Sequence, residues 1–400
     1  MPSPDTEIAI VGGGIAGASA AYHLARHGHR VTLLERGEIA SGASGLNAGA
    51  IDSVGWGDRP DLQAHLTAGS VELFQALQLE HGEDVEFRQS GALQAIQTPA
   101  QHDFARERVR ALRERGYRVE LLTAREARSL EPGLAPGLLG AMYSPLRAQA
   151  DPVKATRALA TLARRRGATV LTHQEVTGIK PRPRGGYVVS TSTGSLVAEM
   201  LVLAAGAWCA HVGTLLALEI PIVPVRGQMW ATAPLPPRIF HTISSTESAA
   251  AWHRDPGGSP PELTARDGTR VTRHLYGRQR RDGEIVFGGD RDLCRGEPLP
   301  HPAGIDVNRR HAAEVLPFLR ELPTARTWAG LMPFSADGKP LIGRLPGREG
   351  AFIVSGLASS GFGRGPMAGK LLADLVHTGK PAQALAEADP ARCVRERGRG

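Results

Sequence analysis

A cluster of glycines near the N-terminus, Gly12-Gly13-Gly14-Ile15-Ala16-Gly17, constrains this chain more than any other feature. It separates a short β-branched strand at residues 8–11 from an alanine-rich helix at 18–27 closed by Gly28. A second strand at 30–34 then ends on Glu35. The whole unit has the size of a βαβ element, about 30 residues. In the spacing G-x-G-x-x-G, Gly12 permits the tight turn, Gly14 lets the backbone approach a pyrophosphate, and Gly17 lets helix and strand pack closely. The helix N-terminus then offers unpaired N–H groups and its positive end to phosphate. A carboxylate at Glu35 accepts hydrogen bonds from a ribose and repels a 2′-phosphate. These residues predict a Rossmann-like α/β unit holding an ADP-containing dinucleotide.

The chain has 400 residues, enough for two to three domains at about 150 residues each. Apolar residues make up 42% and charged residues 22%, ordinary for a globular protein. No run approaches the roughly 18 apolar residues of a membrane span. The first residues lack a basic region and cleavage site, so no secretory signal is expected. The formal net charge is +7, but only five residues are lysine and the arginines are scattered. Without aromatic–basic interleaving, nucleic-acid binding is not expected. Three cysteines, Cys209, Cys294 and Cys393, lie far apart, which fits a reducing cytoplasm and no disulfide or metal framework.

Further along, helical spacing covers 62–81, 101–116 and 152–167, and Thr123-Ala124-Arg125-Glu126 reads as a capping box. Strands are expected at 91–97, 169–171, 187–191, 200–204 and 351–354. Residues 221–322 look strand-rich, with a mobile loop at 256–261. A Gly/Ser loop at 356–365 should feed a helix at 366–376, and the tail after Pro381 should fray. His23 and His27 share a helix face but find no third ligand, so a solvated surface is expected and no metal.

The glycine turn alone does not separate FAD from NAD. The strand at 200–204 runs into Ala204-Ala205-Gly206 and Trp208, which allows close approach to a bound cofactor. The helix after the 356–365 loop can set its positive end against the N1–C2=O edge of a flavin and stabilise the reduced ring. Both features favour FAD.

With these segments the sequence resembles the D-amino-acid-oxidase-like superfamily of flavoproteins, in the branch of glycine oxidase, sarcosine oxidase and dye-linked amino-acid dehydrogenases. The matching stretches are 11–17 with Glu35-Arg36, the loop 41–49, 203–208, Pro224-Val225-Arg226-Gly227-Gln228, 282–289, 330–333 with 337–343, and 356–369. The resemblance implies non-covalent FAD held by Gly12, Gly14, Ile15, Ala16, Gly17, Glu35, Arg36, Ser41, Ala43, Ser44, Asn47, Ala48, Gly49, Ala50, Val176, Ala204, Ala205, Gly206, Trp208, Gly330, Gly361, Phe362, Gly363 and Arg364. It implies an interleaved architecture: a Rossmann-like FAD-binding domain (1–88, 146–222, 323–383), a substrate domain on a mainly antiparallel sheet (89–145, 223–322) and a tail (384–400). It also implies the reaction. An amine or amino acid loses a hydride from the carbon next to nitrogen to flavin N5, and the resulting imine hydrolyses, with O2 or a redox partner as electron acceptor.

Departures from the family pattern are informative. The arginines that grip a substrate carboxylate in glycine oxidase-like members would fall at Met332 and near Ser359, and both are missing. Arg226, Arg278 and Arg364 are candidate replacements, Arg278 foremost because it follows Tyr276 on an expected roof strand. Tyr276, Arg278, Met332 and Ser359 are therefore the candidate substrate-pocket residues. The covalent flavin anchors of relatives would align at Gly330 and near Leu46, and an oxygen-activating lysine near Gly363; none is present. Asn47 is a candidate ribityl or substrate contact or a turn former, and Trp56 a candidate pocket wall. The expected function is FAD-dependent C–N oxidation in the cytoplasm. Oxidation of a hydroxy acid, or a flavin-binding subunit of a larger dehydrogenase, are the alternatives.

Overall fold

The computed structural model describes residues 5–51, 60–248, 264–266, 269–271, 274–293 and 298–398. Trp56, Cys294 and the loop expected at 256–261 lie outside the described residues. Two eight-stranded sheets organise the rest. The first carries Leu341–Arg344, Ala351–Ser355, Ser195–Leu203, Thr6–Val11, Val31–Leu34 and Thr169–Leu171 in that spatial order. From Ala351–Ser355 to Thr169–Leu171 every neighbouring pair is parallel. Such strands are covered on both faces, which is why Ile8, Ile10, Val202 and Leu203 form unbroken apolar runs. Helices Ile15–Arg26, Pro152–Arg165 and Gly361–Thr378 cover one face, with Pro60–Leu79 packed outside them.

The second sheet runs Arg326–Ser335, Ile222–Ala231, Ile285–Leu293, Tyr276–Gln279, Thr242–Ser245, Ala92–Ile96, Gly140–Ser144 and Glu120–Thr123. All pairs but one are antiparallel; Thr242–Ser245 runs parallel to Ala92–Ile96. Side chains alternate across it. Leu93, Ala95, Ile243, Ile285 and Phe287 meet the helix Pro302–Val315 on one face. The opposite face looks toward the first sheet.

Local expectations translate closely: the helices appear as Pro60–Leu79, Pro99–Glu114 and Pro152–Arg165. The capping box forms, with Glu126 N–H donating to Thr123 Oγ1 (3.3 Å) and Thr123 N–H to Glu126 Oε2 (2.8 Å). Four expectations need correction. The strand Arg326–Ser335, assigned above to the FAD-binding half, pairs along its whole length with Ile222–Ala231 in the second sheet. The tail is docked, because Leu385 and Val394 bury themselves in the cores and Arg395–Glu396 pairs with Leu218–Glu219. The last helix starts at Gly361, so Pro366 lies inside it. His23 is 2% exposed, since its helix is packed between two others.

Candidate active site

One cavity of about 470 Å³ is lined by residues of both sheets. At one end is the glycine turn. Gly12 has φ +116°, and a Cβ there would overlap the carbonyl of Ala204; a Cβ on Gly17 would overlap the carbonyl of Gly12. Gly17 thus sets helix–strand contact and does not face the cavity, whereas Gly12, Gly14, Ile15 and Ala16 line it. Glu35 accepts from Gly13 N–H (2.7 Å) on one oxygen and Gly37 N–H (2.8 Å) on the other. A carboxylate has about four acceptor positions, so capacity remains for a ribose diol. Next to it the Arg36 guanidinium lies 3.9 Å from the centroid of Trp208.

Two helices aim their first turns into this cavity, Ile15–Arg26 and Gly361–Thr378. Neither has a side-chain hydrogen bond from its own N-cap residue or an acidic residue in its first turn. The first suits a pyrophosphate and the second an electron-rich ring edge. Between them Ser44 Oγ accepts from Ile15 N–H (2.9 Å). Asn47 is committed to its own loop: Nδ2 donates to the carbonyls of Ala43 and Ser44 (both 3.0 Å), and Oδ1 accepts from Gly49 N–H (2.7 Å). Gly330 and Leu46, at and near which covalent anchors are expected to align, face each other with neither thiol nor imidazole; a Cβ on Gly330 would lie 3.2 Å from Leu46 Cβ.

Of the expected cofactor residues, Ser41, Ala43, Ala50, Val176, Ala204, Ala205, Gly206, Trp208, Gly361, Phe362, Gly363 and Arg364 also line the cavity. Ala48 and Gly49 do not. The residues fit an extended FAD: an acid and aromatic at one end, two helix N-termini without acidic first turns in the middle and at the far end, and one continuous space joining Gly14 to Gly363.

The profile of the FAD dependent oxidoreductase family matches residues 7–375. The chain belongs to this family. It is similar to the glycine oxidase of Geobacillus kaustophilus, 30% identical over 386 residues and 95% of both chains. The crystal structure of that enzyme superposes with a TM-score of 0.84 at 27% identity, covering 98% of this chain and 99% of that one. It is also similar to the mitochondrial dimethylglycine dehydrogenase of Mus musculus, at 28% identity over 96% of this chain but only 44% of that protein. A third likeness is to iminodiacetate oxidase from Chelativorans sp. BNC1: TM-score 0.79, 26% identity, 96% of this chain and 99% of that one. Among the described residues no helix is long and apolar enough to cross a membrane. Nor do three or more His, Cys, Asp or Glu side chains gather to hold a metal.

On the substrate side of this flavoprotein, Tyr276, Met332 and Ser359 line the cavity, but Arg278 does not. Arg278 is 1% exposed, and each of its three nitrogens donates to an interior partner: Nε to Ala48 O, Nη1 to Gln149 Oε1 (3.0 Å) and Nη2 to Ala150 O (2.9 Å). It joins the two halves and is not a substrate clamp. Arg226 pairs with Asp292 (3.2 Å) and the carbonyl of Leu299 (3.0 Å), outside the cavity. Arg364 lines the cavity but reaches Thr67 Oγ1 (3.4 Å) and Gln63 Oε1 (3.2 Å) on the helix Pro60–Leu79.

The cations that sequence reasoning missed are Arg291 and Arg147, both buried and both lining the cavity. Strict alternation puts Arg291 on the covered face with Ile285 and Phe287. A bulge reverses it: Gly227 pairs with Arg291, yet Met229, two residues on, pairs with Gly288, three residues back. Gly289 takes φ +135° there. The consecutive glycines Gly288-Gly289 inside a strand were the available signal. Arg291 Nη2 donates to His274 Nε2 (3.0 Å). Burial first, then the neighbouring Arg291 charge, lowers His274 well below its ordinary value. His274 is therefore neutral near pH 7 and, accepting at Nε2, keeps its proton on Nδ1. Burial lowers Arg291 to about 10, still cationic at neutral pH.

Proposed function

We propose that this flavoprotein oxidises the C–N bond of a carboxylate-bearing amino acid or amine, with Arg291 in the role that Met332 cannot fill. The observation carrying this reading is one cavity lined at once by the dinucleotide cradle, Tyr276, His274 and Arg291. Met332 reaches toward Gly227, the register partner of Arg291, so the clamp has moved across the roof rather than vanished.

Bound FAD supplies the two-electron acceptor for the hydride. The chain's own part is positioning and charge. Arg291, oriented by neutral His274, holds the carboxylate by charge-assisted hydrogen bonds. The roof strands Ile222–Ala231 and Ile285–Leu293 exclude water from above. With the amine nitrogen neutral, its lone pair forms the C=N bond as the adjacent C–H bond breaks. Water then adds to the imine, releasing a carbonyl compound and ammonia or an amine. No side-chain base is needed for the bond-breaking step, consistent with a roof whose described cavity-lining residues include His274 and Tyr276 but no carboxylate.

The test is anaerobic mixing of the yellow holoprotein with amino acids, N-methyl amines and hydroxy acids, followed by admission of air. Loss of flavin absorbance with amino acids or amines is expected. Bleaching confined to hydroxy acids would replace this reading, and no bleaching at all would leave a flavin-binding subunit. The speed of recovery in air separates O2 from a partner as the electron acceptor.

A further inference from the structure

Beyond Arg291 the cavity has a second polar corner that the C–N reaction does not use. Gln94, Thr242 and Ser244 line it and are 6%, 4% and 9% exposed. Gln94 Oε1, Thr242 Oγ1 and Ser244 Oγ have no hydrogen-bond partner among the described residues. The neighbouring hydroxyls differ: Ser245 accepts from Glu247 N–H (3.1 Å) and Ser248 from Leu275 N–H (3.0 Å). Leaving a buried polar group unsatisfied costs about 1–3 kcal/mol. Three together on one wall are the mark of a surface built to meet a ligand.

Strand register places them as a set. Ser244 pairs with Gln94 on one side and Tyr276 on the other, and Thr242 pairs with Ala92. Their in-between neighbours Leu93, Ala95 and Ile243 point into the helix-covered core, so these three point the other way, into the cavity. Arg147 closes the corner. Its carbonyl accepts from Gly91 N–H (2.9 Å), and the carbonyl of Gly91 accepts from Thr242 N–H (3.2 Å). The Arg291 strand lies two strand spacings away, about 10 Å across the sheet, and Arg291 is displaced along it as well, three residues past the Gly288 that pairs with Tyr276 beside Ser244. One carboxylate cannot span that gap, but two carboxylates on one molecule, met partway by the long arginine side chain, can.

We infer that Gln94, Thr242, Ser244 and Arg147 form a distal subsite for a second carboxylate, making the substrate a dicarboxylic amino acid or amine. The inference rests on the C–N reading above and deepens it. Arg147 supplies the charge and the two hydroxyls donate to the carboxylate oxygens; Gln94 can add only its Nε2–H donors, since its Oε1 is an acceptor like the carboxylate itself.

Calorimetry of the holoprotein with glutarate and butyrate, non-reactive acids of similar length, tests the subsite without turnover. Glutarate should bind at least tenfold more tightly than butyrate. Ser244→Ala and Thr242→Val, both close in volume to the originals, should each cut that preference at least fivefold. Kinetics should agree: kcat/KM for dicarboxylic amines and amino acids, iminodiacetate and glutamate among them, should exceed that for sarcosine and norvaline at least tenfold. Equal binding of the two acids, no binding of either, or a preference surviving both substitutions would overturn the inference. Monocarboxylic amines that bleach the flavin as efficiently as dicarboxylic ones would overturn it while leaving C–N oxidation intact. A flavin that no amine bleaches would instead remove the reading on which it rests.

Discussion

Arg291 shows how a buried cation can be held ready for an anionic guest. Its Nη2 donates to a neutral imidazole, so His274 helps to orient the charge without adding a second one. A charge-assisted hydrogen bond contributes about 1.5–3 kcal/mol. Arg291→Met should therefore raise KM for a carboxylate-bearing substrate at least tenfold, measured by steady-state kinetics on FAD-loaded protein. Arg291→Lys should recover part of the loss, because a point charge replaces only some of the bidentate geometry. An unchanged KM in the methionine variant would remove Arg291 from the substrate site. The residue was invisible to sequence reasoning for a definable reason. Period-two alternation assumes an unbroken register, and one extra residue at Gly288-Gly289 puts Arg291 on the other face of the sheet.

At the scale of elements, the N-terminal helix carries a second lesson. The glycine turn, Glu35 and the βαβ order were legible because each depends on residues adjacent in sequence. What covers Ile15–Arg26 was not, because its partners Pro152–Arg165 and Gly361–Thr378 come from far along the chain. His23 looked like a surface residue and is instead enclosed by them. The helix Pro302–Val315 was missed for a related reason. Its N-cap is His301 and its buried face carries Asn308 and His311, which blur the apolar period; Asn308 serves Trp230 Nε1 (2.8 Å). Burial, with Lys370 nearby, lowers His23 to about 3 from an ordinary value near 6.5. Below pH 6.5 the unfolded chain therefore takes up a proton that the folded chain refuses, so folding stability falls as pH drops toward 3. Each pH unit below 6.5 costs about 1.4 kcal/mol. Urea unfolding at pH 7 and pH 5 should show His23→Leu losing about 2 kcal/mol less than the parent across that interval. Equal losses in both proteins would mean that His23 is protonated in the folded state.

At the scale of the whole molecule, the cavity exists only while the two sheets keep their spacing, and an arginine-rich strand end fastens them. Arg278 donates to the segments 48 and 149–150. Arg280 pairs with Asp151 (2.8 Å), Arg281 pairs with Asp84, and Arg88 donates to the carbonyl of Gln279 (2.8 Å). All of these cross between the second sheet's strand Tyr276–Gln279 or the turn beyond it and the segments packed on the first half. Arg278 is the central one because it is fully enclosed. Removing it strands the carbonyls of Ala48 and Ala150 and the side chain of Gln149 in the interior. At about 1–3 kcal/mol for a buried group left unsatisfied, Arg278→Met should cost roughly 2–4 kcal/mol. Ala48 follows Asn47, whose loop walls the cofactor space, so the loss should reach the cofactor as well. The expected outcome is a lower Tm together with weaker FAD retention on gel filtration. In the FAD-saturated protein, KM for a carboxylate substrate should rise far less than in Arg291→Met. A substrate clamp would give the reverse pattern, a raised KM at unchanged Tm, and the two measurements made side by side assign each arginine its part.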